Sequence, residues 1–143
     1  MRDRLFINLN YRDPMLSEWD EKNILGMHML ETKDIFLLAT ALGLDDPKDI
    51  RGKKDGYVRL SYIKTYHKAL MASILLGLEE NRTRVDDFAN EEVNYDEAER
   101  CAESGFEKLK EMIDSAGGDM ELLEKRIFSQ LNMLYQKNVA SNL

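Results

Sequence analysis

The side chains able to transfer protons, attack as nucleophiles or bind metals near neutral pH are few in this chain. It has two histidines, His28 and His67, and one cysteine, Cys101. Histidine is the usual general base and metal ligand because its ordinary pKa lies close to neutrality. His28 is flanked by Met27 and Met29, which predicts partial burial at a helix junction. His67 lies beside an apolar stripe and near Lys64 and Lys68, which predicts a boundary position. Cys101 shares a helical stripe with Ala98 and Ala102, so a buried, inert thiol is expected. Glu97, Glu99 and Glu103 nearby would raise its pKa. Glu99, Glu103, Glu107 and Glu111 recur every four residues. Carboxylates on two helices can hold a di-iron centre, but such sites add Glu-x-x-His motifs, which this chain lacks. Lys108 and Lys110 interleave with the row, so a solvated helix face is expected. There is no Gly-x-x-x-x-Gly-Lys-Ser/Thr, Gly-x-Gly-x-x-Gly, Gly-x-Ser-x-Gly or His-Glu-x-x-His. Asp46-Pro47 and Glu107-Lys108 do not make the Pro-Asp and acid-x-Lys arrangement of restriction-type nucleases. These residues predict a protein that is not an enzyme, with no metal and no cofactor.

Binding is better represented than catalysis. Residues 48–68 carry seven bases and two acids, a net +5, whereas residues 79–124 carry sixteen acids and five bases, a net −11. The basic stretch offers Arg51, Lys53, Lys54, Arg59, Lys64 and Lys68 as contacts for phosphate or for an acidic partner. Tyr57, Tyr62 and Tyr66 lie among them and could stack on unpaired nucleobases. Tyr62 and Tyr66 also share the apolar stripe of their helix, so core packing is the expectation for both. The overall charge of −7 argues against non-specific nucleic-acid binding by the whole surface.

Hydrophobic spacing supplies the elements that must hold these groups. Residues 4–10 alternate: Leu5, Ile7 and Leu9 on one side, Arg4, Phe6, Asn8 and Asn10 on the other, the period of a half-buried strand. Asp13-Pro14 reads as a helix start, with Met15, Leu16 and Trp19 as its apolar face and Gly26 as its end. Thr32 reads as the N-cap of a helix that is apolar almost all round from Ile35 to Leu42 and ends at Gly43. Such a helix belongs at the centre of the fold, and Ala39, Thr40 and Ala41 would let neighbours approach closely. Residues 45–57 read as a polar loop with a turn at Lys53–Gly56. Ile63, Tyr66, Leu70, Met71, Ile74, Leu75 and Leu78 make the strongest helical stripe. Asn94 with Glu97 resembles a capping box for a helix whose stripe runs from Ala98 through Gly105 and Phe106 to Ile113. Gly117-Gly118 breaks it. Asp119 can cap a last helix with Leu123, Ile127, Leu131, Leu134 and Tyr135 inward, and residues 138–143 are expected to fray.

The expected fold is mainly α: a bundle of about five helices with one short N-terminal β-strand. A length of 143 residues suits a single domain over 1–143. Its parts are the strand 4–10, N-terminal helices over 14–44, a basic loop 45–57 and C-terminal helices over 60–137. One cysteine, no signal-peptide pattern and no run of ~20 apolar residues predict a cytoplasmic protein that does not cross a membrane.

Two resemblances extend this reading. Strand, helix, short loop and helix over residues 4–44 look like a ribbon-helix-helix module, in which paired strands of two chains enter the DNA major groove. That resemblance implies a homodimer with Arg4, Phe6, Asn8 and Asn10 facing DNA and residues 35–42 in the dimer core. The segment Thr32-Lys33-Asp34-Ile35-Phe36-Leu37-Leu38-Ala39, then Ala41-Leu42-Gly43, is similar to a helix of small proteins associated with bacterial DNA phosphorothioation systems. So is Ala102 with Gly105-Phe106-Glu107-Lys108-Leu109, although Glu103-Ser104 departs from the small or amide residues of that pattern. This second resemblance implies a non-catalytic accessory subunit of a DNA-defence or DNA-processing complex. Its partner would be a larger protein, an ATPase or nuclease, with any DNA contact indirect. A third expectation, from the acidic stretch 79–124, is an inhibitor that mimics DNA.

Overall fold

A computed structural model describes residues 2–138. A strand, β1 (Arg4–Asn8), leads into α1 (Leu9–Leu16) and the short α2 (Glu18–Glu21), then a 3-10 segment Ile24–Met29. Next come α3 (Thr32–Leu42) and β2 (Lys54–Arg59), a 3-10 turn Leu60–Tyr62 and α4 (Thr65–Leu76). Another 3-10 turn, Glu79–Asn81, precedes α5 (Val85–Ala89), the long α6 (Glu91–Ala116) and α7 (Met120–Asn138). The fold is mainly helical with an N-terminal strand, as expected. The described residues form seven α-helices rather than about five, because α2 and α5 form in short polar stretches with little periodicity. Of the expected fraying tail, residues 139–143 lie outside the described residues. Among those described, no helix is long and apolar enough to cross a membrane.

The centre of the molecule is α6, with α3 lying along it. Six consecutive residues of α6, Cys101 to Phe106, are buried, so its neighbours surround it. α3 buries Ile35, Phe36, Ala39, Thr40 and Leu42, while Leu37 and Leu38 are only partly covered. The two helices meet at backbone distance. A Cβ on Gly105 would stand 1.6 Å from the Ala39 carbonyl oxygen, and one on Gly43 would stand 1.9 Å from that of Cys101. Ala39 and Gly43 thus oppose Cys101 and Gly105, a small-residue pair four apart on each helix. Their spacing lets the main chains approach.

Several boundaries differ from the expectation for local reasons. The strand stops at Asn8, whose side chain accepts the Asn10 N–H at 2.9 Å and caps α1. Helix formation therefore begins before Asp13-Pro14, and Pro14 falls inside α1, which ends two residues later. Met15 and Trp19 are buried, but Leu16 is exposed. Gly26 adopts a left-handed conformation within the Ile24–Met29 turn, as do Asn23 and Leu25 beside it. Glu31 rather than Thr32 precedes α3, and its N–H donates to Asp34 Oδ2 at 2.9 Å. Asn90 rather than Asn94 caps α6, accepting the N–H groups of Glu92 and Val93. α4 starts late, at Thr65, which turns its buried face to His67, Met71 and Leu75 and leaves Tyr66 and Leu70 outside. Asp119 caps α7, accepting the Leu122 N–H, and Leu123, Ile127 and Leu134 point inward. Tyr135 points outward.

The expected loop 45–57 ends early. Residues 54–59 form β2, antiparallel to β1, with Arg4 opposite Arg59, Leu5 opposite Val58, Phe6 opposite Gly56 and Asn8 opposite Lys54. Asp55-Gly56 is therefore strand and not turn; the left-handed residue is Gly52. A Cβ on Gly56 would lie 2.4 Å from Arg4 Cδ, so the Arg4 side chain lies across this glycine and would have to shift for a larger residue. An irregularity in register between Leu5 and Phe6 leaves Tyr57 as an extra residue on β2. Its ring turns inward, edge-on to Phe106 with centroids 6.0 Å apart.

A basic ribbon held by two buried carboxylates

The two-stranded ribbon divides its side chains by alternation. Leu5, Ile7 and Val58 enter the core. Arg4, Phe6, Lys54 and Arg59 remain on the outer side, with Lys54 Nζ 5.3 Å from the centroid of the Phe6 ring. Arg51 and Lys53 extend the basic face along the segment before β2, and Lys64 follows the Leu60–Tyr62 turn. The structure thus gathers most of the residues expected to contact phosphate or an acidic partner. Lys68 is drawn away, since its Nζ pairs with Glu91 at 2.5 Å. Of the residues expected to face DNA, Arg4 and Phe6 lie on the ribbon. Asn8 is buried, and Asn10 belongs to α1 rather than to the strand.

The cations of the ribbon are unusual in this molecule. Elsewhere Arg2, Lys33, Lys48, Arg100, Lys108 and Lys110 pair with carboxylates, whereas Arg82 and Arg126 donate to the Asn138 carbonyl and to Ser115 Oγ. Arg4, Arg51, Lys53, Lys54, Arg59 and Lys64 have no carboxylate within ion-pair distance among the described residues. Arg4 and Arg59 face each other directly across the ribbon, a like-charge pairing that costs stability.

What holds the ribbon to the body was not apparent from the sequence. Glu99 and Glu103, one turn apart on α6, are not part of a solvated face; both are buried. Glu99 accepts the Phe6 N–H at 2.5 Å and an ion pair from Arg2 Nη1 at 2.9 Å. Arg2 also pairs with Glu92 and Asp96. Glu103 accepts Asn8 Nδ2 at 3.2 Å, while the same amide donates to the Arg51 carbonyl at 2.7 Å. The remaining oxygen of Glu103, Oε2, is buried with no hydrogen-bond partner among the described residues. Farther along the row, Glu107 pairs with Lys48 at 3.0 Å, and Glu111 is exposed. The signal that could have been read is positional: Glu99 and Glu103 directly follow Ala98 and Ala102, at the margin of the α6 stripe. The edge of β1 that does not pair with β2 therefore lies against α6, and its Phe6 N–H is already engaged.

Burial pushes the Glu103 carboxyl above its ordinary range, and Glu107 adds repulsion; Asn8, Lys48 and the Arg51 N–H oppose the shift. A carboxyl whose pKa is raised by folding binds its proton more tightly in the native state. Its contribution to stability is greatest in acid and is lost as pH rises from the ordinary carboxyl range through the raised value. Glu103→Gln keeps an acceptor for Asn8 without the buried charge. The variant is expected to be at least as stable as the parent at neutral pH and to lose stability less between mild acid and neutrality. Urea melts of both proteins across that interval check this, and equal pH dependence would contradict it.

The candidates for chemistry are placed as follows. His28 is exposed, not partly buried, with Nε2 2.6 Å from the Asp20 carbonyl. His67 is buried rather than at a boundary, and its Nδ1 accepts the Lys64 N–H at 2.9 Å, so the ring proton sits on Nε2. Cys101 is buried and its thiol is pushed up to about 12, first by desolvation and then by Glu97. No His, Cys, Asp and Glu grouping among the described residues has the geometry of a metal site. Compared with family models, with curated proteins and with solved structures, the chain matches none of them.

Proposed function

We propose that this protein is a non-catalytic docking subunit whose basic ribbon engages an acidic surface of a larger protein partner. The observation that carries this reading is the set of unpaired cations on the ribbon in a chain with 27 acids and 20 bases. A surplus of acid supplies most of the cations elsewhere with a carboxylate partner. Arg4, Lys54 and Arg59 instead share a small, rigid face with Phe6, an arrangement suited to an anionic surface brought from outside. The resemblance to phosphorothioation-associated proteins supports an ATPase or nuclease of a prokaryotic DNA-defence or DNA-processing complex as the partner.

The reading is tested with two labelled anions, polyglutamate and a short DNA duplex, measured by fluorescence anisotropy at low salt. Polyglutamate binding is expected to fall about tenfold in the Arg4→Glu, Arg59→Glu double variant, since ~1.4 kcal/mol of lost attraction is a tenfold change. Tight duplex binding that the same variant abolishes would overturn the reading in favour of a DNA-binding protein.

A further inference from the structure

Tyr62, Tyr66 and Leu70 share the outer side of the Leu60–Tyr62 turn and α4, and they are 57%, 61% and 46% exposed. Their spacing of four residues places Tyr66 and Leu70 on one line of the helix. At the Tyr62 end the stripe opens into a cavity of about 330 Å³ lined by Glu31, Thr32, Lys33, Val58, Tyr62 and Lys64. Such a volume is at the small end of those that accept a ligand. Its floor includes Val58, which is buried, and Lys33 Nζ donates to the Tyr62 carbonyl at 3.3 Å.

The charges around this stripe are not balanced. Lys33 and Glu31 pair with each other at 2.9 Å, and Lys68 is engaged by Glu91. Lys64, on the cavity wall, and Arg59, next to Leu60, have no carboxylate partner among the described residues. An occupant of this surface must therefore offer apolar side chains to the stripe and negative charge to Lys64 and Arg59.

We infer that the exposed α4 stripe and the cavity at its foot receive an acidic amphipathic segment of the partner protein, with one large apolar side chain seated in the cavity. The inference rests on the docking reading above and specifies the chemistry of what docks. Large apolar anchors at intervals of four residues are how a helix engages a groove. Acidic residues between the anchors would reach Lys64 and Arg59 and give the contact its salt dependence.

The test is selection from a display library of random sixteen-residue peptides on the immobilised full chain at physiological salt. Enriched peptides are expected to combine Asp and Glu with large apolar residues four apart. Their affinity, measured afterwards in solution, is expected to fall about tenfold or more for the Tyr66→Ser, Leu70→Ser variant and separately for Lys64→Glu. All three positions are exposed, and an unchanged thermal melt establishes that each variant folds. Enrichment of acidic peptides without apolar anchors, indifferent to Tyr66 and Leu70, would overturn this inference and leave ionic docking on the ribbon standing. Enrichment of no acidic sequence would overturn it as well. Self-association abolished by the Tyr66→Ser, Leu70→Ser change would also overturn it, by assigning the stripe to a second copy.

Discussion

Replacing Gly105 by alanine is expected to destabilise the protein by about 3 kcal/mol or more, at the upper end of overpacking costs. The added methyl would fall 1.6 Å from the Ala39 carbonyl oxygen, 2.5 Å from its carbonyl carbon and 2.9 Å from its Cα. Those are main-chain atoms of α3, so no rotamer change relieves the clash. The helices must part, and Ala98, Ala102 and Phe36, all buried at the seam, would lose contacts with them. A loss of this size is a large share of the ~5–15 kcal/mol that separates native from unfolded chains. Gly52→Ala serves as the comparison. Gly52 has φ +83 but nothing within 4 Å of its Cβ position, so that change costs only backbone strain, about 1–2 kcal/mol. Urea melts followed by the fluorescence of Trp19, the one tryptophan and a buried one, measure both. Equal losses at the two positions would contradict a backbone-to-backbone seam.

Phe106→Ala is expected to cost about 3–5 kcal/mol, the range for deleting a buried phenylalanine. Phe106 is fully buried where three elements meet. Its ring stacks on Tyr11 of α1 with centroids 6.1 Å apart and receives the edge of Tyr57 from β2. Removing it would create a cavity beneath the ribbon and loosen both attachments. Hydrogen exchange at β2 amides, beside the Tyr57 ring that packs on Phe106, should then accelerate more than exchange at the centre of α7. A uniform acceleration would contradict the placement of Phe106 as the ribbon's anchor.

The helical class was readable in the sequence, and so was close approach of a second helix through Ala39; that Gly43 and Gly105 complete the seam was not, since Gly43 reads only as a helix end and Gly105 only as part of a stripe. The sequence also marked the basic segment from Lys48 to Lys68, in which Lys48 and Lys68 are paired with carboxylates. It did not reveal β2, since Lys54-Asp55-Gly56 has the composition of a turn and becomes strand only through pairing with residues some fifty positions earlier. Nor did it reveal the roles of Glu99 and Glu103. Glutamates four apart on a helix ordinarily face water, and only the approach of β1 covers these two. α4 turns a different face inward from the one its periodicity suggests, because His67, a polar residue, takes the inward position that Tyr66 would fill.

Docking of a protein on the ribbon, as proposed, is tested by co-purification of the full chain from a lysate of the organism that makes it, at physiological salt, with and without nuclease treatment. The parent is compared with the Arg4→Glu, Arg59→Glu variant, and bound proteins are identified by mass spectrometry. An ATPase or nuclease subunit is expected to stay bound after nuclease treatment and to be lost with the variant. A nucleic acid as the retained species, with no protein surviving nuclease treatment, would contradict it.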